Sequence, residues 1–220
     1  MHKQALIVGA TGLIGSKLLK MLLQSANYDK IYAISRKPLS VSHDKLEVVL
    51  ADYDTLPGAD DNCWKVDDVF CCLGTTMKQA GSKEAFRKID HDYPLVVAQR
   101  SKEAGAQAYH LITAMGADSG SMFFYNQVKG DVERDIGLVD FECFYIYRPS
   151  LLIGDRGEKR VGERIAIGFS KAIGALMVGP LKKYKGINVF KVARAMYLNA
   201  QKEQPGQHII ESDKLQNYTL

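Results

Sequence analysis

The sequence predicts an α/β fold: a doubly wound parallel sheet with helices on both faces, followed by a short C-terminal elaboration. Short apolar runs rich in Val, Ile, Phe and Cys alternate with longer amphipathic stretches, which is the pattern of repeated strand, helix, strand units. A glycine-punctuated turn follows the first apolar run, and 220 residues with 46% hydrophobic content suffice for one buried core. We therefore expect one domain over residues 1–220, with its core in 1–150.

The predicted elements follow one another in a regular order. Each strand is a short apolar run ended by turn residues, and each helix repeats apolar residues at helical spacing. The six predicted strands are Gln4–Val8, Lys30–Ser35, Leu46–Leu50, Asp67–Leu73, Ala108–Thr113 and Glu142–Tyr147. The five predicted helices are Leu13–Gln24, Ser82–Asp90, Tyr93–Ala104, Phe124–Ile136 and Val189–Gln201. The link between residues 52 and 67 is expected to be a short helix or loop crossing the sheet.

The net charge excludes several classes of protein. The 29 Lys and Arg residues against 25 Asp and Glu leave a formal charge of +4. This balance is too even to support disorder, a polybasic nucleic-acid module or an acidic tail. Residues 155–185 depart from this balance with eight basic and three acidic residues. A basic stretch reports a field and not a ligand, so cofactor phosphates, an acidic substrate, a solvated lid and a protein partner all stay open.

Cysteine use and hydropathy predict the compartment. The four cysteines, at positions 63, 71, 72 and 143, have neither a metal spacing nor the density of a disulfide scaffold, so we expect buried, reduced thiols and a cytoplasmic protein. No metal site is predicted, and His110 reads as a core residue within a strand. No run of eighteen uninterrupted apolar residues occurs, so no integral membrane segment is expected.

The first turn carries a G-x-x-G-x-x-G pattern between a strand and a helix. Gly9 allows a tight turn, Gly12 lets the backbone approach a pyrophosphate, and Gly15 lets the helix pack closely on the sheet. The helix N-terminus adds free N–H groups and the positive end of its dipole. This pattern indicates a Rossmann-type, dinucleotide-binding fold, with 1–150 as the cofactor-binding core and 151–220 as a substrate-side lid and C-terminal helix. The expected contacts of the loop are Gly9, Thr11, Gly12, Leu13, Ile14 and Gly15.

The end of the second strand decides between NAD and NADP. An acidic residue there would bind the ribose hydroxyls of NAD, but this chain has Arg36 and Lys37, which suit a 2′-phosphate. NADP(H) is therefore favoured over NAD(H), with a solvated basic loop end as the alternative. Asp52, after the third strand, is placed to read the adenine amino group or to form a turn or helix cap.

A tyrosine and a lysine share one face of a predicted helix. Tyr125 and Lys129 are at i and i+4, and a neighbouring ammonium favours the phenolate, which brings tyrosine within reach of proton transfer. A surface pair is the alternative for this spacing alone. Thr113, at the end of the fifth strand, is the expected hydroxyl that polarises a substrate carbonyl, whereas Ser119 and Ser121 are expected to be turn residues.

These motifs together resemble the atypical branch of the short-chain dehydrogenase/reductase superfamily. More narrowly, blocks across nearly the whole chain are similar to the Tat-interacting-protein oxidoreductases, a family of animals and fungi with bacterial relatives, and this chain resembles a bacterial-type member. The blocks are 70–76 (FCCLGTT), 90–93 (DHDY), 116–118 (GAD), 125–133 (YNQVKGDVE) and 148–156 (RPSLLIGDR).

The resemblance implies a Rossmann fold that binds NADPH, with Tyr125 as proton donor or acceptor and Lys129 beside it. Thr113 departs from the serine that the family usually has. The cofactor contacts that the resemblance implies are Arg36, Leu73, Gly74, Leu152 and Arg160. Thr75, Lys129 and Pro149, which lie in the same sequence blocks, are further expected cofactor contacts.

Three functions are compatible with this sequence. The first is an NADPH-dependent oxidoreductase that transfers hydride to or from a small carbonyl or alcohol, with proton donation by Tyr125. The second is an NADPH-binding regulatory or redox-sensing protein with a protein partner and little catalysis. The third, sugar-nucleotide epimerase chemistry, uses the same tyrosine and lysine but normally needs a larger C-terminal domain. We expect a monomer or homodimer and no nucleic-acid partner.

Overall fold

The computed structural model describes residues 2–154 and 185–219, and its centre is a seven-stranded, wholly parallel sheet in the order β3-β2-β1-β4-β5-β6-β9. Nine strands occur in the described residues: β1 (Lys3–Val8), β2 (Tyr28–Ser35), β3 (Leu46–Leu50), β4 (Asp68–Cys71), β5 (Ala108–Ile112), β6 (Cys143–Arg148), β7 (Leu152–Ile153), β8 (Ile187–Asn188) and β9 (Gly206–Glu211). The helices there are α1 (Gly15–Gln24), α2 (Met77–Ala80), α3 (Lys83–Arg87), α4 (Tyr93–Glu103), α5 (Phe124–Gly137), α6 (Val189–Ala200) and α7 (Ser212–Leu215).

The predicted α/β class and the six predicted strands are confirmed, and the strand order matches the doubly wound pattern. The seventh strand, β9, is not predicted because its residues Gly206–His208 are polar or small and only two adjacent apolar residues follow. It lies at the sheet edge beside β6. The segment after residue 150 therefore contributes an edge strand to the main sheet as well as a helix.

The helix predicted over Ser82–Asp90 is interrupted. It forms α3 and then a π-helical turn, Lys88–Asp92, which continues directly into α4. The link between β3 and β4 contains a 3-10 turn, Asn62–Trp64, whose Trp64 is fully buried.

The sheet is covered on both faces, as expected for a parallel sheet. Ala5 and Ile7 of β1 face one hydrophobic cluster and Leu6 and Val8 face the other, because side chains alternate along a strand. The first cluster includes α1 and α6, and the second includes α4 and α5. A fully buried side chain such as Leu18 of α1 stabilises the fold by about 1.5–3 kcal/mol.

Four aromatic rings stack across neighbouring strands on one face of the sheet. Phe70, His110, Tyr145 and His208 lie opposite one another in register on β4, β5, β6 and β9. Their centroids are 4.8, 4.9 and 4.8 Å apart. His110 is fully buried, and its Nδ1 lies 3.0 Å from the hydroxyl of Tyr147. The prediction that His110 is a core residue is confirmed.

The four cysteines are free thiols, as predicted. Cys63, Cys71 and Cys143 are buried and Cys72 is half-buried. Burial raises the pKa of Cys71 to about 11 and, with Asp61 contributing, that of Cys63 to about 12, so both thiols are protonated at neutral pH.

A two-residue parallel ladder joins the two described parts of the chain. Leu152 pairs with Ile187 and Ile153 with Asn188, and the Ser150 hydroxyl donates to the Lys185 carbonyl at 2.5 Å. Within residues 2–154 and 185–219, helices are too short or too polar to cross a bilayer.

Candidate functional site

The sequence predicts a set of site residues, and most of them are described by the structure. These residues follow the carboxyl ends of the strands, which lie at one side of the sheet. Because the strands are parallel, their carboxyl ends lie at the same edge, which is where open α/β sheets bind ligands. Val8 is in register with Ile34 and with Cys71, and Ile112 with Tyr147. These pairings align the loops after five strands. The predicted contact Arg160 lies outside the described residues.

Two glycines give the loop after β1 its shape. Gly9 has a φ of +81°, and a Cβ there would lie 2.5 Å from the Cys72 carbonyl oxygen, so no other residue fits without displacing backbone. A Cβ on Gly15 would lie 2.2 Å from the Gly9 carbonyl oxygen. Helix α1 therefore begins in direct contact with the turn, as the sequence pattern predicts.

The amino end of α1 is open to a ligand. Its cap residue Ile14 provides no side-chain hydrogen bond, and the first turn has no acidic residue. The N–H groups of Ser16 and Lys17 donate to backbone carbonyls, so the N–H groups before Ser16 and the helix dipole are what favour an anion. Thr11 and Gly12 are exposed, Leu13 is half-buried, and the Ile14 side chain is buried in the core. A glycine turn in front of an uncapped helix fits a dinucleotide pyrophosphate.

Two cations lie at the end of β2. Arg36 and Lys37 are exposed. The Ser35 hydroxyl donates to the Lys37 carbonyl at 2.8 Å. This hydrogen bond closes a tight turn over residues 35–37 at the end of the strand. Asp52, after β3, accepts a hydrogen bond from the Asp54 N–H at 3.1 Å, so the structure shows the turn role that the sequence left open for it.

The loop after β4 lies beside the predicted catalytic lysine. A Cβ on Gly74 would lie 3.9 Å from Lys129 Nζ, and the Thr75 N–H donates to Asp90 Oδ2 at 2.9 Å. Leu73 packs at the margin of the second hydrophobic cluster. After β6, Pro149 is buried and Leu152 is half-buried in β7.

Tyr125 and Lys129 lie one helical turn apart on α5. Tyr125 is 38% exposed, and its ring packs on Phe86 with 5.5 Å between centroids. Lys129 is 4% exposed, with Nζ 2.7 Å from Asp90 Oδ1. Burial by itself would lower the pKa of Lys129, but the Asp90 carboxylate and, to a smaller extent, the Tyr125 phenol raise it above its ordinary value. Lys129 is therefore a fixed positive charge beside an accessible phenol.

Asp90 is a site residue that sequence reasoning did not assign. It is 2% exposed, and its two carboxylate oxygens contact Lys129 Nζ and the Thr75 N–H, so it joins the helix of the tyrosine and lysine to the loop after β4. It lies on the π-helical turn before α4, and such turns frequently occur at functional sites. Its presence in the family-like block 90–93 was the only signal in the sequence.

Two further side-chain contacts, one ion pair and one histidine–carboxylate contact, fasten α3 and the π-helical turn to α5. Arg87 Nη1 lies 2.8 Å from Asp131, and His91 Nε2 lies 2.8 Å from Asp135. His91 is thus a link between chain segments. Within the residues that the structure describes, no three His, Cys, Asp or Glu side chains form a metal-binding group.

The Thr113 hydroxyl, predicted to polarise a substrate carbonyl, has a partner inside the fold. It donates to Glu133 Oε1 at 2.5 Å, and the residue is 5% exposed. A hydroxyl has one proton to donate, so polarising a substrate carbonyl would require Thr113 to give up its hydrogen bond to Glu133. The turn role of Ser121 is confirmed, since its hydroxyl oxygen accepts from the Phe123 N–H at 3.1 Å.

Comparison with known proteins gives a family match over the region that contains the glycine loop. Residues 4–98 match the family model described as the NAD binding domain of semialdehyde dehydrogenase. The fold resembles the Bordetella bronchiseptica enzyme WbmH in complex with NAD+, with a TM-score of 0.70, 15% identity, and coverage of 96% of this chain and 76% of that one. A dTDP-4-dehydrorhamnose reductase from Clostridium acetobutylicum gives a TM-score of 0.60 at 18% identity, covering 94% and 74%. The chain carries an NAD(P)-binding Rossmann domain.

Relatives of closer sequence show the family. Protein FMP52, mitochondrial, from Eremothecium gossypii is 33% identical over 220 residues, covering 96% of this chain and 95% of its own. Protein HTATIP2 from Rattus norvegicus is 34% identical over 209 residues, covering 94% of this chain and 84% of its own. The chain therefore belongs to the family of HTATIP2 and FMP52, the Tat-interacting-protein family that its sequence resembles.

Proposed function

We propose that this protein is an NADPH-dependent oxidoreductase that reduces a small carbonyl compound, or oxidises the corresponding alcohol, with Tyr125 as the proton donor. The observation that carries the proposal is the pairing of an accessible phenol with a buried, ion-paired ammonium on one turn of α5. The residues proposed for cofactor binding and those proposed for proton transfer lie at the same side of the sheet, where its parallel strands have their carboxyl ends.

The residues that would hold the cofactor fit its parts in order. The uncapped end of α1 and the turn at Gly12 suit the pyrophosphate. The guanidinium of Arg36 and the ammonium of Lys37 suit a 2′-phosphate, which accepts two-pronged hydrogen bonds from a planar fork. When bound, the nicotinamide ring supplies or accepts the hydride.

The proton chemistry belongs to the chain itself. In reduction, Tyr125 Oη gives its proton to the carbonyl oxygen as negative charge develops there, and in oxidation the phenolate accepts the proton of the alcohol. Lys129 stabilises the phenolate because it stays charged, and it stays charged because Asp90 compensates its burial. Thr113 takes no part in this step.

Replacement of the phenol tests the proposal directly. Tyr125→Phe should reduce turnover of a carbonyl substrate by about 100-fold or more, the usual size of a general acid's contribution, while NADPH affinity is retained. Tyr197→Phe is the matched control and should leave turnover unchanged. The Tyr197 hydroxyl donates to the Ser25 hydroxyl at the C-terminal end of α1. Full activity in Tyr125→Phe would refute the assignment.

Cofactor preference is tested by parallel titration with NADPH and NADH. A charge-assisted hydrogen bond contributes about 1.5–3 kcal/mol, so Arg36→Ala should weaken NADPH binding by about ten-fold or more and leave NADH binding unchanged. Lys20→Ala, which removes an exposed cation from α1, is the control. Equal loss of both nucleotides in Arg36→Ala would show that the basic tip does not read the 2′-phosphate.

One observation favours a second candidate, an NADPH-binding regulatory protein with little catalysis. The hydroxyl expected to orient a carbonyl, that of Thr113, is held by Glu133. A regulator of this kind would bind NADPH and leave the nicotinamide absorbance unchanged across a broad panel of aldehydes and ketones, whereas the oxidoreductase would consume it with at least one.

A further inference from the structure

A charge cluster ties α5 to the end of β6. Arg148, the last residue of β6, donates from Nε to Glu133 Oε1 at 3.1 Å and from Nη2 to Glu133 Oε2 at 2.5 Å. Its Nη1 lies 3.0 Å from Glu211 at the end of β9. The side chains of Arg148 and Glu133 are 20% and 7% exposed. This two-pronged fork is the geometry in which arginine holds a carboxylate most rigidly.

The carboxylate held in this way lies on the face of α5 that carries the predicted chemistry. Glu133 follows Lys129 by four residues and Tyr125 by eight, so the three side chains recur on adjacent turns. Eight residues of α-helix rise about 12 Å. A tilt or rotation of α5 at Glu133 is therefore transmitted along the helix to the phenol and the ammonium.

The other end of the fork is fixed to the loops at the carboxyl edge. Pro149, next to Arg148, accepts a hydrogen bond from the Met115 N–H at 3.0 Å. The Ser150 N–H donates to the Ser212 hydroxyl at 3.1 Å. Together with the Thr113 hydroxyl on Glu133, these contacts bring the ends of β5, β6 and β9 into one connected unit.

We propose that Arg148 and Glu133 are positioning residues: their fork sets the height and rotation of α5 at which Tyr125 can donate its proton. Neither residue touches substrate or cofactor in this role. Thr113 occupies a remaining acceptor direction of Glu133 and so adds a third contact to the carboxylate that the fork holds. This inference rests on the proposed function, because the position that the fork fixes matters through proton donation by Tyr125.

The test separates positioning from simple stability. Arg148→Met, Arg148→Lys, Glu133→Gln and the double variant Glu133→Gln/Arg148→Met are compared with the wild type well below the melting temperature of each. Arg134→Met is the control, since Arg134 also pairs with carboxylates of α5 but is exposed. NADPH affinity is measured by fluorescence, and kcat and KM are measured for a carbonyl substrate at saturating NADPH.

We expect Arg148→Met to lower kcat by about 10–100-fold, the effect of a small misplacement of reacting groups, with little change in NADPH affinity. Arg148→Lys should recover part of kcat, because an ammonium can hold one oxygen of Glu133. The double variant should be no slower than Arg148→Met, since both changes remove one interaction. Wild-type kcat per NADPH-binding molecule in Arg148→Met and Glu133→Gln would overturn the proposal, as would equal losses in Arg134→Met.

A second readout keeps failure of the proposed function distinct. If the wild type binds NADPH but consumes none with any carbonyl, the oxidoreductase assignment fails, and fluorine NMR of fluorotyrosine-labelled protein then reports on the helix. Tyr125→Phe assigns the signal of Tyr125. We expect this signal to respond to NADP+ in the wild type and Arg134→Met, and to lose its response in Arg148→Met with binding retained. An unchanged response in Arg148→Met overturns the positioning role.

Discussion

His110 should make the stability of this protein depend on pH in a range where most carboxylates are still ionised. Burial in the aromatic stack, with a smaller effect from the charge of Lys3, lowers the pKa of His110 to about 3 from the ordinary value of 6.5. The folded chain therefore keeps His110 neutral while the unfolded chain protonates it. The stability contributed by the neutral ring is fully present above pH 6.5 and is lost as the pH falls toward 3.

The size of the effect follows from the difference between the two pKa values. One pKa unit corresponds to about 1.4 kcal/mol, so protonation of the unfolded chain alone should lower the free energy of unfolding by about 2 kcal/mol at pH 5 relative to pH 7. His110→Phe removes this dependence while keeping a ring between Phe70 and Tyr145. The variant loses the contact of His110 with the Tyr147 hydroxyl, but in the wild type this hydroxyl also lies 3.4 Å from Asn199 Nδ2, which provides a second polar neighbour.

Urea unfolding followed by fluorescence gives the required free energies, because Trp64 is the single tryptophan and is fully buried. Between pH 7 and pH 5 the wild type should lose about 2 kcal/mol more than His110→Phe. His208→Phe, at the less buried end of the same stack, is the control. Parallel losses in the wild type and His110→Phe would show that the ring is protonated in the folded state, and the reasoning would be wrong.

Three further substitutions test the site. Asp90→Asn leaves the buried ammonium of Lys129 without its counter-charge and should cost about 3–5 kcal/mol of unfolding free energy, measured by urea unfolding; a loss below 1 kcal/mol would show that the ion pair is dispensable. Gly15→Ala adds a Cβ 2.2 Å from the Gly9 carbonyl, so NADPH titration should show at least about ten-fold weaker binding, and unaltered affinity would contradict the loop assignment. Gly130→Ala adds a Cβ 2.0 Å from the Ser119 nitrogen and should lower stability by about 1–3 kcal/mol in thermal unfolding, whereas no change in melting temperature would mean that the loop yields freely.

The sequence predicts the parts of this protein that depend on local pattern. The glycine spacing between Gly9 and Gly15 fixes a strand, a turn and a helix N-terminus, since few backbones satisfy it. The i and i+4 spacing of Tyr125 and Lys129 places both on one helix face. Apolar runs identify the strands β1 to β6. All of these except β3 are inner strands, which need little polarity because they are buried on both faces.

The sequence does not predict features that depend on which chain segments meet. Thr113 has the expected height at the end of β5, but its direction is set by Glu133, twenty residues later. Asp90 becomes a partner of Lys129 only through the π-helical turn that rotates it toward α5. The strand β9 is recognisable only by its pairing with β6, since an edge strand needs fewer apolar residues than an inner one.

The parallel ladder of β7 with β8 sets a minimum length for the chain between the two described parts. A parallel pair cannot be closed by a tight turn and requires a connection of about a dozen residues or more, which the chain between Ile153 and Ile187 exceeds. A shortened variant of this protein that keeps the ladder therefore has to retain about a dozen residues between Ile153 and Ile187.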